Sequence, residues 1–331
     1  MQGVCLVLVG KSGAGKTASM AKLAQLINND RPARPVLIRF CGTSKGSMTG
    51  LALLQSLCHQ IEHIFQLAPT LPANYKGWVA RFHSLLAAHS VVLVIDSLDQ
   101  LSDDNDARSS LTFLRGLVPH PDTRVIVSCL PDETDTLTGK RYFYGCETRL
   151  CESNVARVDI RPIVGDGAIE MVRNLLARKG RTLTKEQWGV IRSSVGEEAT
   201  ALYCHLAVRV AATWSSSTAL HQCVLPPTVP AIIHLILDGI ELEFGREWTR
   251  VALAVVTYSS AGISDGEMQD ILSLEDERVL DHVFQYSKPD DIRRFPLHVW
   301  LRLKGALEGL LVEREHGCFQ WYHRQLSETA E

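Results

Sequence analysis

Gly10-Lys11-Ser12-Gly13-Ala14-Gly15-Lys16-Thr17 is the most informative octet of this chain. It follows the apolar run Val4-Cys5-Leu6-Val7-Leu8-Val9 and precedes the helix-like Ala18-Ser19-Met20-Ala21-Lys22-Leu23-Ala24. Strand, glycine loop and helix in that order, with the spacing G-x-x-x-x-G-K-[ST], are the context in which a backbone loop cradles phosphate. Gly10, Gly13 and Gly15 let consecutive N–H groups turn inward around an anion. The first turn of the following helix, entered at Ala18, adds unpaired donors and the positive end of its dipole. Lys16 supplies a point charge for the outer phosphates and the Thr17 hydroxyl a ligand for Mg²⁺. Residues 10–18, Lys11, Ser12 and Ala14 included, are therefore the expected nucleotide contacts. Glycine-rich turns also serve plain packing, but the correct flanks on both sides favour the phosphate loop.

The second informative stretch is Val91-Val92-Leu93-Val94-Ile95-Asp96. Five consecutive apolar residues mark a central strand covered on both faces, and the acid stands where that strand emerges. Beside a phosphate loop, such a carboxylate holds Mg²⁺ opposite the Thr17 hydroxyl. Asp99, three residues on, is placed to orient or deprotonate a water, or else to cap a turn. Arg124-Val125-Ile126-Val127-Ser128 repeats the strand pattern and puts a hydroxyl at its end, where a γ-phosphate contact is useful.

Around these two stretches the chain alternates. A helix from Thr17 to Ile27, closed by Asn28-Asn29-Asp30 and the turn Arg31-Pro32, leads to the strand-like Val36-Leu37-Ile38-Arg39-Phe40. Apolar residues from Leu51 to Phe65 recur at helical spacing, and another helix carries Trp78, Phe82, Leu85 and Leu86. Val155–Ile160 reads as the last strand. Strands alternating with helices give βαβ units and a parallel sheet. Beyond Pro162 the chain turns helical, over 166–178, 184–195 and 199–214, until two β-like runs joined at Glu315-His316-Gly317. Helices ending in a β-hairpin outline a winged helix.

Composition excludes several classes. With 46% hydrophobic and 21% charged residues over 331 positions, the chain has interior enough for two or three domains. No apolar run reaches the roughly twenty residues of a membrane span. The first strand begins too early for a signal peptide, so the expected compartment is the cytoplasm. Nine cysteines are scattered singly without C-x-x-C pairs, the pattern of buried reduced thiols. A net charge of −3 argues against a protein dominated by nucleic-acid contacts. In the C-terminal region Arg293 and Arg294 are offset by Asp290 and Asp291.

Taken together, these residues resemble the NACHT branch of the STAND group of P-loop NTPases, most closely the NACHT module of NACHT-and-WD-repeat and nephrocystin-like proteins. The resemblance is carried by Arg39-Phe40-Cys41-Gly42-Thr43-Ser44, Leu54-Gln55-Ser56-Leu57-Cys58-His59-Gln60-Ile61, Val94-Ile95-Asp96-Ser97-Leu98-Asp99-Gln100-Leu101 and Val125-Ile126-Val127-Ser128-Cys129-Leu130-Pro131. It implies a three-layer α/β P-loop NTPase core with a parallel sheet over residues 1–161, a helical domain over 162–225 and a winged-helix domain over 226–331. It also implies that His323, in Trp321-Tyr322-His323-Arg324-Gln325, contacts the phosphates of ADP.

Three departures stand out. Gln100 occupies a position where such modules carry Glu, so hydrolysis is expected to be slow or to rest on Asp99. Ala201, in Thr200-Ala201-Leu202-Tyr203, stands where relatives tend to carry a Pro beside the base. The chain also starts almost at its first strand, as a fragment of a longer protein would. The expected function is an ATP/ADP switch, with Mg²⁺, that controls domain opening, self-association and protein partners. The rival readings are a robust ATPase or nucleotide-dependent kinase, and a DNA-binding winged-helix regulator.

Overall fold

The computed structural model describes residues 4–31, 33–132, 146–151, 155–195, 198–259, 261–274 and 294–331. Pro32, Asp290, Asp291 and Arg293 lie outside the described residues. The chain divides into two compact units, Met1–Arg161 and Pro162–Glu331.

The first unit is built on β1 (Leu6–Val9), α1 (Lys16–Asp30), β2 (Val36–Phe40), α2 (Gly50–Ile64), α3 (Tyr75–Ala88), β3 (Val92–Asp96), β4 (Arg124–Cys129), α4 (Cys146–Cys151) and β5 (Ala156–Asp159). The five strands form one sheet in the order β2-β3-β4-β1-β5, and every pairing is parallel. Successive side chains of a strand point to opposite faces, and the cores follow that alternation. Val7, Val9, Leu93, Ile95, Val125 and Val127 share a buried cluster with Leu53, Leu57 and Ile61 of α2 and Phe82 of α3. Leu8, Val92, Val94 and Ile126 share another with Met20 and Ala24 of α1. Helix, sheet and helix make three layers, and the apolar run of β3 is buried throughout because both of its faces are covered.

Local chemistry fixes the helix starts. The Thr49 side chain accepts from the Ala52 N–H and that of Asn74 from the Gly77 N–H, each satisfying a first-turn donor. Helix α1 runs through the polar Asn28-Asn29-Asp30 instead of stopping at Ile27, since the Arg31 N–H still reaches the Ile27 carbonyl. Arg39 joins two of the motif stretches. Its Nε donates to Ser56 Oγ at 2.9 Å and its Nη2 to Gln60 Oε1 at 2.7 Å, tying β2 to α2. Cys41, Cys58, Cys129, Cys146, Cys204 and Cys223 are buried free thiols, whereas Cys151 is exposed.

The second unit is largely helical: α5 (Asp166–Arg178), α6 (Lys185–Val195), α7 (Ala201–Ala211), α8 (Val229–Phe244), α9 (Arg246–Tyr258), α10 (Asp265–Leu274), α11 (Leu297–Ala306) and α12 (Arg324–Ala330). A short antiparallel pair joins β6 (Ile163–Val164) to β7 (Glu198–Ala199), and a hairpin joins β8 (Leu311–Glu313) to β9 (Phe319–Trp321). One buried cluster runs from Ala168 through Leu206, Ile233 and Trp300 to Leu326. Among the described residues, no helix is long and apolar enough to cross a membrane.

Candidate functional site

Because all five strands are parallel, their C-terminal ends lie along one edge of the sheet, the edge at which open α/β sheets bind ligands. The loop Gly10–Gly15 leaves β1 at that edge. Gly13 has φ 76° and Gly15 φ 101°, left-handed backbone that side chains resist; these turns bend the loop back upon itself. Gly10 is glycine for a different reason. A Cβ there would lie 3.0 Å from both Cβ and the carbonyl oxygen of Ile160, just past β5. Inside the loop the Ala14 N–H donates to the Lys11 carbonyl at 3.2 Å, and the Ser19 N–H to that of Gly15 at 3.0 Å, starting α1. Lys11 is exposed, while Ser12 is half-buried in the turn.

Lys16, the first residue of α1, is 7% exposed. Its ammonium donates to the Gly10 carbonyl at 2.6 Å and to the Lys11 carbonyl at 3.1 Å, so the charge is held inside the loop. Thr17 follows and donates from Oγ1 to Asp96 Oδ2 at 2.7 Å. This contact joins positions 79 residues apart, bringing together the two motifs that the sequence singled out. Ala18 lies in the first turn of the helix.

Asp96 is 1% exposed and receives three hydroxyl donors: Thr17, Ser97 Oγ at 3.2 Å on Oδ2, and Ser128 Oγ at 2.5 Å on Oδ1. Ser128 also accepts from the Ser97 N–H at 2.8 Å. Ser97 itself is left-handed, with φ 57° and ψ 54°, a conformation that costs a non-glycine residue energy and is over-determined here by its two bonds. The Ser128 hydroxyl thus spends its proton on Asp96. No local signal in the sequence announces that link.

Asp99, in the single turn Leu98–Gln100, is 2% exposed. Its Oδ1 accepts from the Leu130 N–H at 3.1 Å, just beyond β4, and its Oδ2 from the Gln100 side-chain amide at 2.9 Å. Sequence reasoning missed Gln100 and Leu130 as holders of this carboxylate. The nearby thiols register the local field. Burial, then Asp96 and Asp99, push Cys41 well above the usual thiol range. Cys129 is raised too, by its hydrogen bond with Cys146 and by burial, with Asp99 contributing.

The donor set fits a hard divalent cation. A threonine hydroxyl and a carboxylate, side by side at the loop, are oxygen ligands of the type Mg²⁺ takes, with phosphate and water completing its shell. His323 lies in the second unit as the N-cap of α12, where its Nδ1 accepts from the Gln325 N–H at 3.2 Å.

A parallel sheet in the order β2-β3-β4-β1-β5, with a glycine loop after β1 and an acid ending β3, defines a P-loop NTPase core. The family model named "NACHT domain" matches residues 4–179, more than half of the chain, and the chain belongs to that family. Among curated relatives it is 31% identical over 340 residues to NACHT domain- and WD repeat-containing protein 1 of Mus musculus, covering 98% of this chain and 21% of the relative. To NACHT and WD repeat domain-containing protein 2 of Homo sapiens it is 26% identical, covering 93% and 18%. The chain thus spans about a fifth of the length of these curated relatives. Similar solved structures include a Signal Transduction ATPase with Numerous Domains (STAND) protein with a tetratricopeptide repeat sensor from Pyrococcus horikoshii. That match has a TM-score of 0.49 and 12% identity, covering 100% of this chain and 40% of the other.

Proposed function

We propose that this chain is the nucleotide-operated switch of a larger regulatory protein: it binds ATP and ADP, turns ATP over slowly, and opens or closes its domains according to which nucleotide it holds. The observation that carries the reading is the bonded constellation Thr17–Asp96–Ser128 beside a glycine loop that encloses the Lys16 ammonium.

In this reading the backbone N–H groups of Gly13 to Ala18 wrap the phosphates, assisted by the α1 dipole. Lys16 turns from the Gly10 and Lys11 carbonyls toward the outer phosphates. Thr17 and Asp96, already in contact, are the residues that hold Mg²⁺, which when bound neutralises charge developing on the phosphates. The Ser128 hydroxyl, itself held by the Ser97 N–H, fixes Asp96, so the ligand is oriented before the metal arrives. Asp99 positions the attacking water. Its carboxylate is held by the Leu130 N–H and the Gln100 amide, and glutamine at position 100 supplies no second acid to take the proton, which favours slow turnover over the robust ATPase reading.

The remaining parts of the proposal rest on family membership. Residues 162–225 serve as a helical domain and 226–331 as a winged helix, with His323 as the ligand of the ADP phosphates. The ATP-bound form self-associates in the cytoplasm, by a shift of population between two states. A decisive shift requires the two nucleotides to differ in preference by about 5 kcal/mol.

The test is calorimetric titration of the chain and of Lys16→Ala with ATP and ADP. The lysine contributes charge more than packing, so the variant is expected to keep its unfolding midpoint and lose most of its nucleotide affinity. Undiminished affinity removes the assignment of the phosphate loop.

A further inference from the structure

The contacts around Asp99 extend past the residues that the function uses. Gln100, which donates to its Oδ2, is fixed in turn by the segment after β2. Gly42 has φ 73°, and a Cβ on it would stand 2.8 Å from the Gln100 Cβ. Two backbone bonds close the same seam: the Cys41 N–H donates to the Asp96 carbonyl at 3.0 Å, and the Ser102 N–H to the Met48 carbonyl at 2.8 Å. The loop after β2 is itself closed by the Gly42 N–H on the Ser47 carbonyl at 3.0 Å and by the Ser44 and Ser47 hydroxyls at 3.1 Å. The exits of β2 and β3 are therefore zipped together, and Asp99 ties them to the exit of β4 through Leu130.

We propose that Gln100, seated against Gly42, is the positioning residue that aims the Asp99 carboxylate; this rests on the reading of Asp99 as the residue that orients the attacking water. A carboxylate in a terminal turn can rotate about its last torsion, because sp³–sp² torsions are broad. With Oδ1 on the Leu130 N–H and Oδ2 on the Gln100 amide, both oxygens are assigned and the carboxylate plane is set. The Gln100 amide can serve only while its backbone stays where Gly42 permits it. A side chain at position 42 would displace that backbone by contact and, at the same time, force a left-handed residue to carry a Cβ. The requirement for glycine at position 42 and the orientation of Asp99 are thus one constraint seen from two ends.

Two variants test this. Gln100→Met keeps the length and packing of the side chain and removes the donor. Gly42→Ala keeps the donor and displaces it. Hydrogen exchange at the Leu130 amide, read without nucleotide, reports how firmly Asp99 is held, with the interior amides of β4 as the control. Loss of one hydrogen bond to a charged group predicts exchange about tenfold faster or more in both variants. Single-turnover hydrolysis is expected to fall by about the same factor, while ATP affinity stays within about twofold. Unchanged exchange at Leu130 overturns the positioning role. Faster exchange with unchanged hydrolysis also overturns it, since Asp99 would then be structural. If the parent binds ATP without hydrolysing it, the water-orienting reading of Asp99 fails by itself, and the exchange result still decides whether Gln100 holds the carboxylate.

Discussion

Replacing Ser128 by alanine probes the constellation at its least accessible point. The hydroxyl is fully buried; it donates to Asp96 Oδ1 at 2.5 Å and accepts from the Ser97 N–H at 2.8 Å. Its removal takes a charge-assisted bond from Asp96, worth about 1.5–3 kcal/mol, and leaves the Ser97 N–H without its acceptor, at about 1–3 kcal/mol. The two losses share one oxygen and do not add in full, so the expected destabilisation is about 2–4 kcal/mol. Urea unfolding at equilibrium measures it as a lower midpoint with an unchanged slope. Function gives a second readout, because Asp96 would lose one of its three hydroxyl donors. The gain in ATP affinity on adding Mg²⁺ is expected to shrink, while affinity without Mg²⁺ stays as in the parent. A stability change within about 0.5 kcal/mol, the scale of an inert surface substitution, together with undiminished Mg²⁺ dependence, would refute the reasoning.

Asp96 and Asp99 separate by assay: Asp96→Ala is expected to impair Mg²⁺-dependent ATP binding, and Asp99→Ala to spare binding and reduce whatever hydrolysis exists, both read by titration and phosphate release. His323→Ala is expected to weaken ADP more than ATP by roughly 1.5–3 kcal/mol, one hydrogen bond to a charged group, and equal losses for the two nucleotides remove that role. Glu62 predicts acid sensitivity: burial raises its pKa, but hydrogen bonds from Arg81 and Thr70 and the Arg81 charge outweigh it and hold the group below 4.5. A depressed folded value stabilises the fold above the unfolded pKa, and that contribution disappears as pH falls from 4.5 through the folded value. Urea midpoints for the parent and Glu62→Gln should therefore converge as the solution is acidified through that window.

Much of this was legible in the sequence because the informative residues are local to their elements. The phosphate loop announces itself by spacing, and the central strand by an unbroken apolar run ending in an acid. Contacts set by the third dimension were not legible. Ser128 and Asp96 are 32 positions apart, and nothing in either strand says that β3 and β4 are neighbours. Gln100 looked like a missing glutamate, and only the side-chain geometry gives it a partner. Two-residue strands such as Ile163–Val164 and Glu198–Ala199 are too short to show alternation. Helix α7 therefore begins at Ala201 instead of Ala199, with the Thr200 side chain accepting from the Tyr203 N–H as its cap. Helix α6 begins at Lys185 because Thr184 and Gln187 exchange hydrogen bonds across its first turn.

Sedimentation velocity of one preparation, freed of nucleotide and then saturated with ADP or with ATP and Mg²⁺, reads whether nucleotide identity sets the state of the chain. A compact monomer is expected with ADP and an expanded or self-associated form with ATP and Mg²⁺, a difference absent from Lys16→Ala. Identical sedimentation with both nucleotides, each shown by titration to be bound, would contradict that expectation.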